Sequence, residues 1–188
     1  MGDRSTWESR YRQRLGDGVR PPSQFLVEHL QQLPCGRALD VACGDGRQSL
    51  YLAGYGWAVE AVDFAHAGLA RLRAIARRDG LRVEAVQADL EQWPLPTDRY
   101  DVVVNIRYLQ RTLFGALQSA VRHGGMVVFE TFIRDQQQLG HPRNPAFLLE
   151  RGELAARFAG FEILSYREGQ FDTESGPAFL ARMLARRP

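Results

Sequence analysis

The stretch RALDVACGDGR, residues 37–47, constrains the fold of this chain more than any other: a short apolar strand runs into Gly44 and Gly46, and the helical pattern QSLYLA follows at once. A strand that stops on glycines and restarts as a helix sets bare backbone and the positive end of a helix dipole against whatever is seated there. Such a turn is a cofactor cradle.

Charge decides which cofactor suits it. A dinucleotide fingerprint reads G-x-G-x-x-G because its pyrophosphate lies on the helix N-terminus. Here Ser49 stands where the third glycine belongs, and Asp40 and Asp45 flank the turn. At about 4 Å and a surface-like dielectric, each such contact with a phosphate charge repels by roughly 4 kcal/mol. The turn suits a ligand with an ammonium and a sulfonium, and S-adenosylmethionine (SAM) carries both.

The segment LDVACGDG, residues 39–46, resembles motif I of the class I SAM-dependent methyltransferases. Further matches follow at the expected offsets. AVEAVD (58–63) is a second strand closing on Asp63, 17 residues after Gly46; VEAVQADL (83–90) is a third, ending at Asp89; YDVVVN (100–105) is a fourth. The resemblance spans roughly residues 35–188. It implies an α/β fold, a Rossmann-like doubly wound seven-stranded sheet in the order 3-2-1-4-5-7-6 with strand 7 antiparallel, and SAM as cofactor. It also implies that Asp40, Ala42, Gly44 and Gly46 shape the cradle and take the methionine ammonium. Asp63 with Phe64 then meets the ribose, Asp89 and Leu90 the adenine, and Asn105 borders the cofactor. Among such enzymes the chain looks most like the small tellurite-resistance and thiopurine methyltransferase-like members, on its aromatic N-terminal segment and the stretch HPRNPAFLL at 141–149. That likeness implies a small, soft acceptor atom: sulfur, selenium or tellurium.

Composition sets the bounds. The chain has 188 residues, 45% hydrophobic, enough for one ordinary core. No apolar run reaches the ~18 residues of a membrane span, and the N-terminus has no signal-peptide core, so a cytoplasmic protein is expected, monomer or homodimer. Cys35 and Cys43 form no C-x-x-C pair and the four histidines are scattered singly, so no metal site is expected. All 24 basic residues are arginine, yet the net charge is only +2 and no basic stripe concentrates them, so nucleic acid is not favoured as a partner. The densest cluster, residues 71–78, reads as the solvated face of a helix whose buried side is Leu69, Leu72 and Ile75.

One methyltransferase domain is expected over 1–188, with N-terminal cap helices in 1–30 and the Rossmann-like core in 35–188. Trp7 and Tyr11, four apart, either pin a terminal helix or form a flap over the cofactor, with Arg12 placed to hold the methionine carboxylate. Ser23 to Leu30 reads as a helix capped by Ser23. After the cradle the pattern predicts a strand at 58–62, a helix at 65–79, strands at 82–87 and 100–105, a helix at 109–120 and a strand at 125–131. A helix over 150–158, a strand over 161–167, a polar turn at 172–176 and a closing strand over 177–184 complete it.

Reacting ends belong at the carboxyl edge of parallel strands. Arg107 and Tyr108 after the fourth strand either line a substrate pocket or cap the next helix. The long stretch 131–149 reads as a substrate cap carrying His141, Arg143 and Asn144, or as a loop tied down by those same groups. Arg107, Tyr108 and His141 are the candidate catalytic residues. The tetrapeptide NIRY at 105–108 lacks the two prolines that grip a planar amine or amide, and neither Cys35 nor Cys43 is placed as the nucleophile for attack on cytosine. These absences favour a small-molecule acceptor. An RNA or protein methyltransferase and a non-catalytic SAM-binding module remain the alternatives, with a nicotinamide dehydrogenase behind them.

Overall fold

A computed structural model describes residues 4–13 and 19–188. Seven strands form one sheet in the order β3-β2-β1-β4-β5-β7-β6. They are β1 (Arg37–Val41), β2 (Ala58–Asp63), β3 (Val83–Gln87), β4 (Tyr100–Ile106), β5 (Val121–Phe132), β6 (Glu162–Thr173) and β7 (Gly176–Arg186). The first five run parallel and β7 is antiparallel to both of its neighbours, as the resemblance implies. The helices are α1 (Arg4–Arg12), α2 (Gln24–His29), α3 (Arg47–Gly54), α4 (His66–Arg78), α5 (Phe114–Ala120) and α6 (Glu153–Arg157).

Central parallel strands are covered on both faces and therefore read as continuous apolar runs. In β4, Val103 packs on one face with Leu39, Phe114 and Phe129, while Val102 and Val104 pack on the other with Phe25, Leu26 and Leu52. On α4, Leu69, Leu72 and Ile75 are buried, as the periodicity requires. That helix begins close over the glycine turn: a Cβ on Gly68 would lie 2.6 Å from the carbonyl oxygen of Gly44. Only glycine permits that approach. No helix among the described residues is long and apolar enough to cross a membrane.

Several boundaries differ from the pattern. The helix expected over 109–120 begins instead as a single 3-10 turn at 111–113 and becomes α5 at Phe114, because the Asn105 side chain takes the carbonyl of Tyr108 and Gln110 is extended. Strand β5 starts at Val121 and passes through an irregularity before Met126. Helix α6 is only Glu153–Arg157, since Gly152 at φ 75° stands at its start. The polar turn shrinks to Glu174 and Ser175, so β6 and β7 are longer than expected. Ser23 does stand before α2, yet its side chain makes no cap; its hydroxyl is spent elsewhere.

One aromatic knot joins helices to sheet. Phe158 meets Phe114 at 5.9 Å, Phe129 at 6.1 Å and Phe161 at 5.3 Å between ring centroids, each edge-on, and it is fully buried. Phe158→Ala is expected to cost about 3–5 kcal/mol, through lost burial plus the cavity left behind. Urea unfolding monitored by circular dichroism checks this.

Candidate cofactor site and its walls

The turn after β1 takes three left-handed residues in five positions: Ala42 at φ 52°, Gly44 at 61° and Gly46 at 81°. An alanine in that region is uncommon and marks a backbone held by its surroundings. The holding group is Asp63. Its Oδ2 accepts the Gly44 N–H at 2.8 Å and its Oδ1 accepts the Ala65 N–H at 2.8 Å. One carboxylate at the end of β2 thus ties the glycine turn to the start of the next helix. Burial pushes its pKa up, against the pull of those backbone N–H groups.

Asp40, expected in the cradle, is placed under it. It is 1% exposed, and its Oδ2 accepts the Ser49 hydroxyl at 2.5 Å. Burial raises its carboxyl from 3.8 to about 7, the hydrogen bonds of Ser49 and the charge of Arg47 opposing. Asp40 therefore braces the turn from below, at the junction of β1 and α3.

Above the turn lies α1. The Tyr11 phenol sits so close over Gly44 that a Cβ there would be 2.2 Å from its oxygen. Trp7 stacks on Tyr11 at 6.1 Å, and Arg10 lies 4.8 Å over the Trp7 ring. Glu8 anchors the helix, accepting the Ala67 N–H at 3.2 Å in the first turn of α4, where a negative charge is favoured by the dipole. Trp7 and Tyr11 thus lie at the cradle. The Arg12 side chain, expected to hold the methionine carboxylate, is 72% exposed and pairs with Glu8 at 3.2 Å along its own helix.

Residues 19–23 cross the front of α3, a feature that sequence periodicity did not reveal. Arg20 pairs with Asp45 at 3.2 Å; Arg47 donates to the Pro21 carbonyl at 3.2 Å; the Ser23 N–H donates to Gln48 Oε1 at 3.0 Å. The Ser23 hydroxyl then reaches Glu130 Oε2 at 3.2 Å.

On the β3 side of the turn, Asp89 Oδ1 accepts the Glu91 N–H at 3.0 Å, which fixes the loop after β3, and Leu90 is buried in the core. Phe64 lies half-buried beside Asp63, its carbonyl accepting from Gln87. The Tyr108 phenol donates to Gln110, and burial with the nearby charges of Glu91, Asp89 and Asp63 raises its pKa.

On the β4–β5–β7 side stands a charged cluster. Glu130, 2% exposed through its side chain, is paired with Arg107 Nε at 3.0 Å and Arg182 Nε at 2.8 Å. Arg107 takes φ 63° and lies 4.7 Å over Phe132; Arg182 lies 4.0 Å over Phe171. Asn105, adjacent to Val41 across the β1–β4 ladder, buries an Oδ1 that has no hydrogen-bond partner among the described residues.

The loop after β5 is fastened down. Gln136, buried, donates to the His141 carbonyl at 3.0 Å and accepts the Phe179 N–H at 2.8 Å; Gln137 donates to the Arg143 carbonyl at 2.8 Å. Asn144 caps the short turn that follows, accepting from the Ala146 N–H at 3.0 Å. The His141 and Arg143 side chains are exposed, and through their carbonyls they serve the loop's own backbone. Gln136, not His141, is the organising residue there.

Residues 38–125 match the family described as "Methyltransferase domain". The chain is 32% identical over 123 residues to a malonyl-[acyl-carrier protein] O-methyltransferase of Enterobacter lignolyticus, covering 62% of this chain and 47% of that protein. TehB of Haemophilus influenzae superposes with a TM-score of 0.75 at 23% identity, covering 87% of this chain and 61% of that one. A structure described as "Conversion of a Disulfide Bond into a Thioacetal Group during Echinomycin Biosynthesis" gives 0.74 at 21% identity, covering 97% and 91%. The chain spans about half to three fifths of the curated relatives it matches. The segment that matches the methyltransferase model, residues 38–125, contains the glycine turn, Asp63 and strands β2 to β4. The residues present fit SAM: the turn carries no side chain at Gly44, the Asp63 carboxylate stands at its edge, and Asn105, beside Val41, buries an unused acceptor.

Because Asp40 is raised in the folded chain, its contribution to stability is full below about pH 4, falls as pH rises, and is gone above about pH 7. Asp40→Asn is expected to remove that slope, an effect on the order of 4 kcal/mol between pH 4 and pH 8. Urea midpoints of both proteins across that range test it; parallel pH profiles would refute it.

Proposed function

We propose that this chain transfers the methyl group of SAM to a small-molecule acceptor. The observation that carries the reading is the Asp63 carboxylate, held against the glycine turn by two backbone N–H groups and presented at the carboxyl end of β2. Each of its oxygens keeps acceptor capacity for a further donor, and ribose hydroxyls are the donors that suit it. Asp89 and Leu90 would meet the adenine, with Phe64 and Tyr108 alongside. Gly44, Gly46 and Asn105 would border the methionine end. Trp7 and Tyr11 would cover the cofactor as a lid, with Glu8 as its latch. The described part of residues 1–30 thus acts as the cap of a single methyltransferase domain.

When bound, SAM supplies a methyl carbon on a positively charged sulfur that departs as a neutral thioether. The chain's own work is orientation and exclusion of water, and holding two reactants in line can supply several kcal/mol of the barrier. The lid and residues 19–23 shield the turn, while Arg107 and Glu130 wall the side away from Asp63. A soft acceptor atom, sulfur, selenium or tellurium, is the class to test first. The overall likeness to TehB and to the thioacetal-forming protein supports that choice.

Calorimetric titration with SAM and S-adenosylhomocysteine, with NAD as control, tests the cofactor. Transfer of labelled methyl to thiols, selenite, tellurite and bulk RNA tests the acceptor. Binding of both adenosyl compounds in the micromolar range is expected, and no binding would sink the reading. Asp63→Ala is expected to weaken S-adenosylhomocysteine binding at least tenfold. It also strips an acceptor from two backbone N–H groups, so a loss of about 1–3 kcal/mol of stability should accompany it. Unchanged affinity in a folded variant would remove Asp63 from the ribose.

A further inference from the structure

The side of the site away from Asp63 already contains a carboxylate held by the protein's own arginines. Arg47, the first residue of α3, forms an ion pair with Glu174, a residue 127 positions away at the turn of the β6–β7 hairpin. Arg107 stands within electrostatic reach of both. Burial opposes ionisation of Glu174, but the hydrogen bond and charge of Arg47 and the charge of Arg107 outweigh it and hold the carboxyl below its usual range.

Arg107 is prepared for more than this. Its Nε is committed to Glu130, its plane lies over Phe132, and its backbone is fixed in the left-handed region by a 2.7 Å bond from its N–H to the Glu130 carbonyl. Among the described residues its two terminal nitrogens donate no hydrogen bond. A guanidinium with one edge locked and the other open is suited to a planar two-oxygen anion. Charge agrees: Arg47, Arg107 and Arg182 face Glu130 and Glu174, so withdrawing Glu174 leaves three positive charges against one negative.

Glu174 is able to withdraw. The β5–β7 ladder ends at the pair Phe132 and Leu180, and residues 171–173 pair only with 176–178 in their own hairpin. The turn that carries Glu174 lies beyond the body of the sheet. Resting on the methyltransferase reading, the geometry points to an acceptor that carries a carboxylate, which Arg107 and Arg47 bind in the place Glu174 occupies as an internal stand-in. The carboxylate is the handle that orients the acceptor; the methylated atom lies elsewhere on it.

Benzoate, with neutral benzamide as its control, is the probe. It is titrated by calorimetry into the full chain with and without S-adenosylhomocysteine. Glu174→Ala removes the internal competitor and is expected to tighten benzoate at least fivefold, with benzamide unaffected. Arg107→Met is expected to weaken benzoate at least tenfold in the Glu174→Ala background, with S-adenosylhomocysteine affinity changed less than twofold. Should Arg107→Met fail to fold, Glu174→Gln decides alone, since it releases Arg47 without altering size. Equal binding of benzoate and benzamide, or no gain from either Glu174 variant, overturns the subsite. Failure of S-adenosylhomocysteine to bind while benzoate still does would count against the methyltransferase reading, not against the carboxylate subsite.

Discussion

A carboxylate buried near the end of an interior strand of a sheet needs partners, and Glu130 on β5 has three. Arg107 comes from the end of β4, Arg182 from β7 and Ser23 from the residue before α2. An uncompensated charge in such surroundings costs several kcal/mol, so each partner is obliged to be present in the folded chain. The requirement fixes more than charge. It draws the N-terminal segment across α3, forces the chain after β4 into the left-handed turn at Arg107, and pins β7 against β5 with its cation inside the fold. Asp63 plays the matching part on the other side, where its two oxygens hold the turn and the start of α4. Between these two carboxylates lies the ground on which a cofactor and an acceptor would meet.

The sheet was legible because its information is local. β1, β2 and β4 are apolar runs that end on recognisable punctuation, and the offset from Gly46 to Asp63 follows from the length of one helix between two parallel strands. The glycine turn was legible for the same reason. What the sequence concealed are contacts between residues with nothing local to mark them: Ser23 with Glu130, Arg47 with Glu174, Gln136 with Phe179. No periodicity distinguishes a glutamate that will be buried between two arginines from one that will face water.

The same limit applies to polar residues whose partners lie outside any motif. Arg12 and His141 stand in polar, irregular stretches where a binding residue is plausible, yet Arg12 pairs along its own helix and the His141 carbonyl is tied by a glutamine five residues earlier. Asp40 matched a motif position, but a buried serine contact decides what its carboxyl faces. Tyr11 stands over Gly44 on a helix whose aromatic spacing is itself a local signal.

Two of the contacts that close the site join residues 107 and 127 positions apart, whereas no strand pair spans more than the 64 positions between Ala38 and Val102. Contacts so distant in sequence demand large loop closures and form late, and they rest on few apolar atoms, so they also open first. The sheet can persist while the closures come apart. A molecule of this kind has two thresholds of order, a lower one for possessing its architecture and a higher one for possessing a usable cleft.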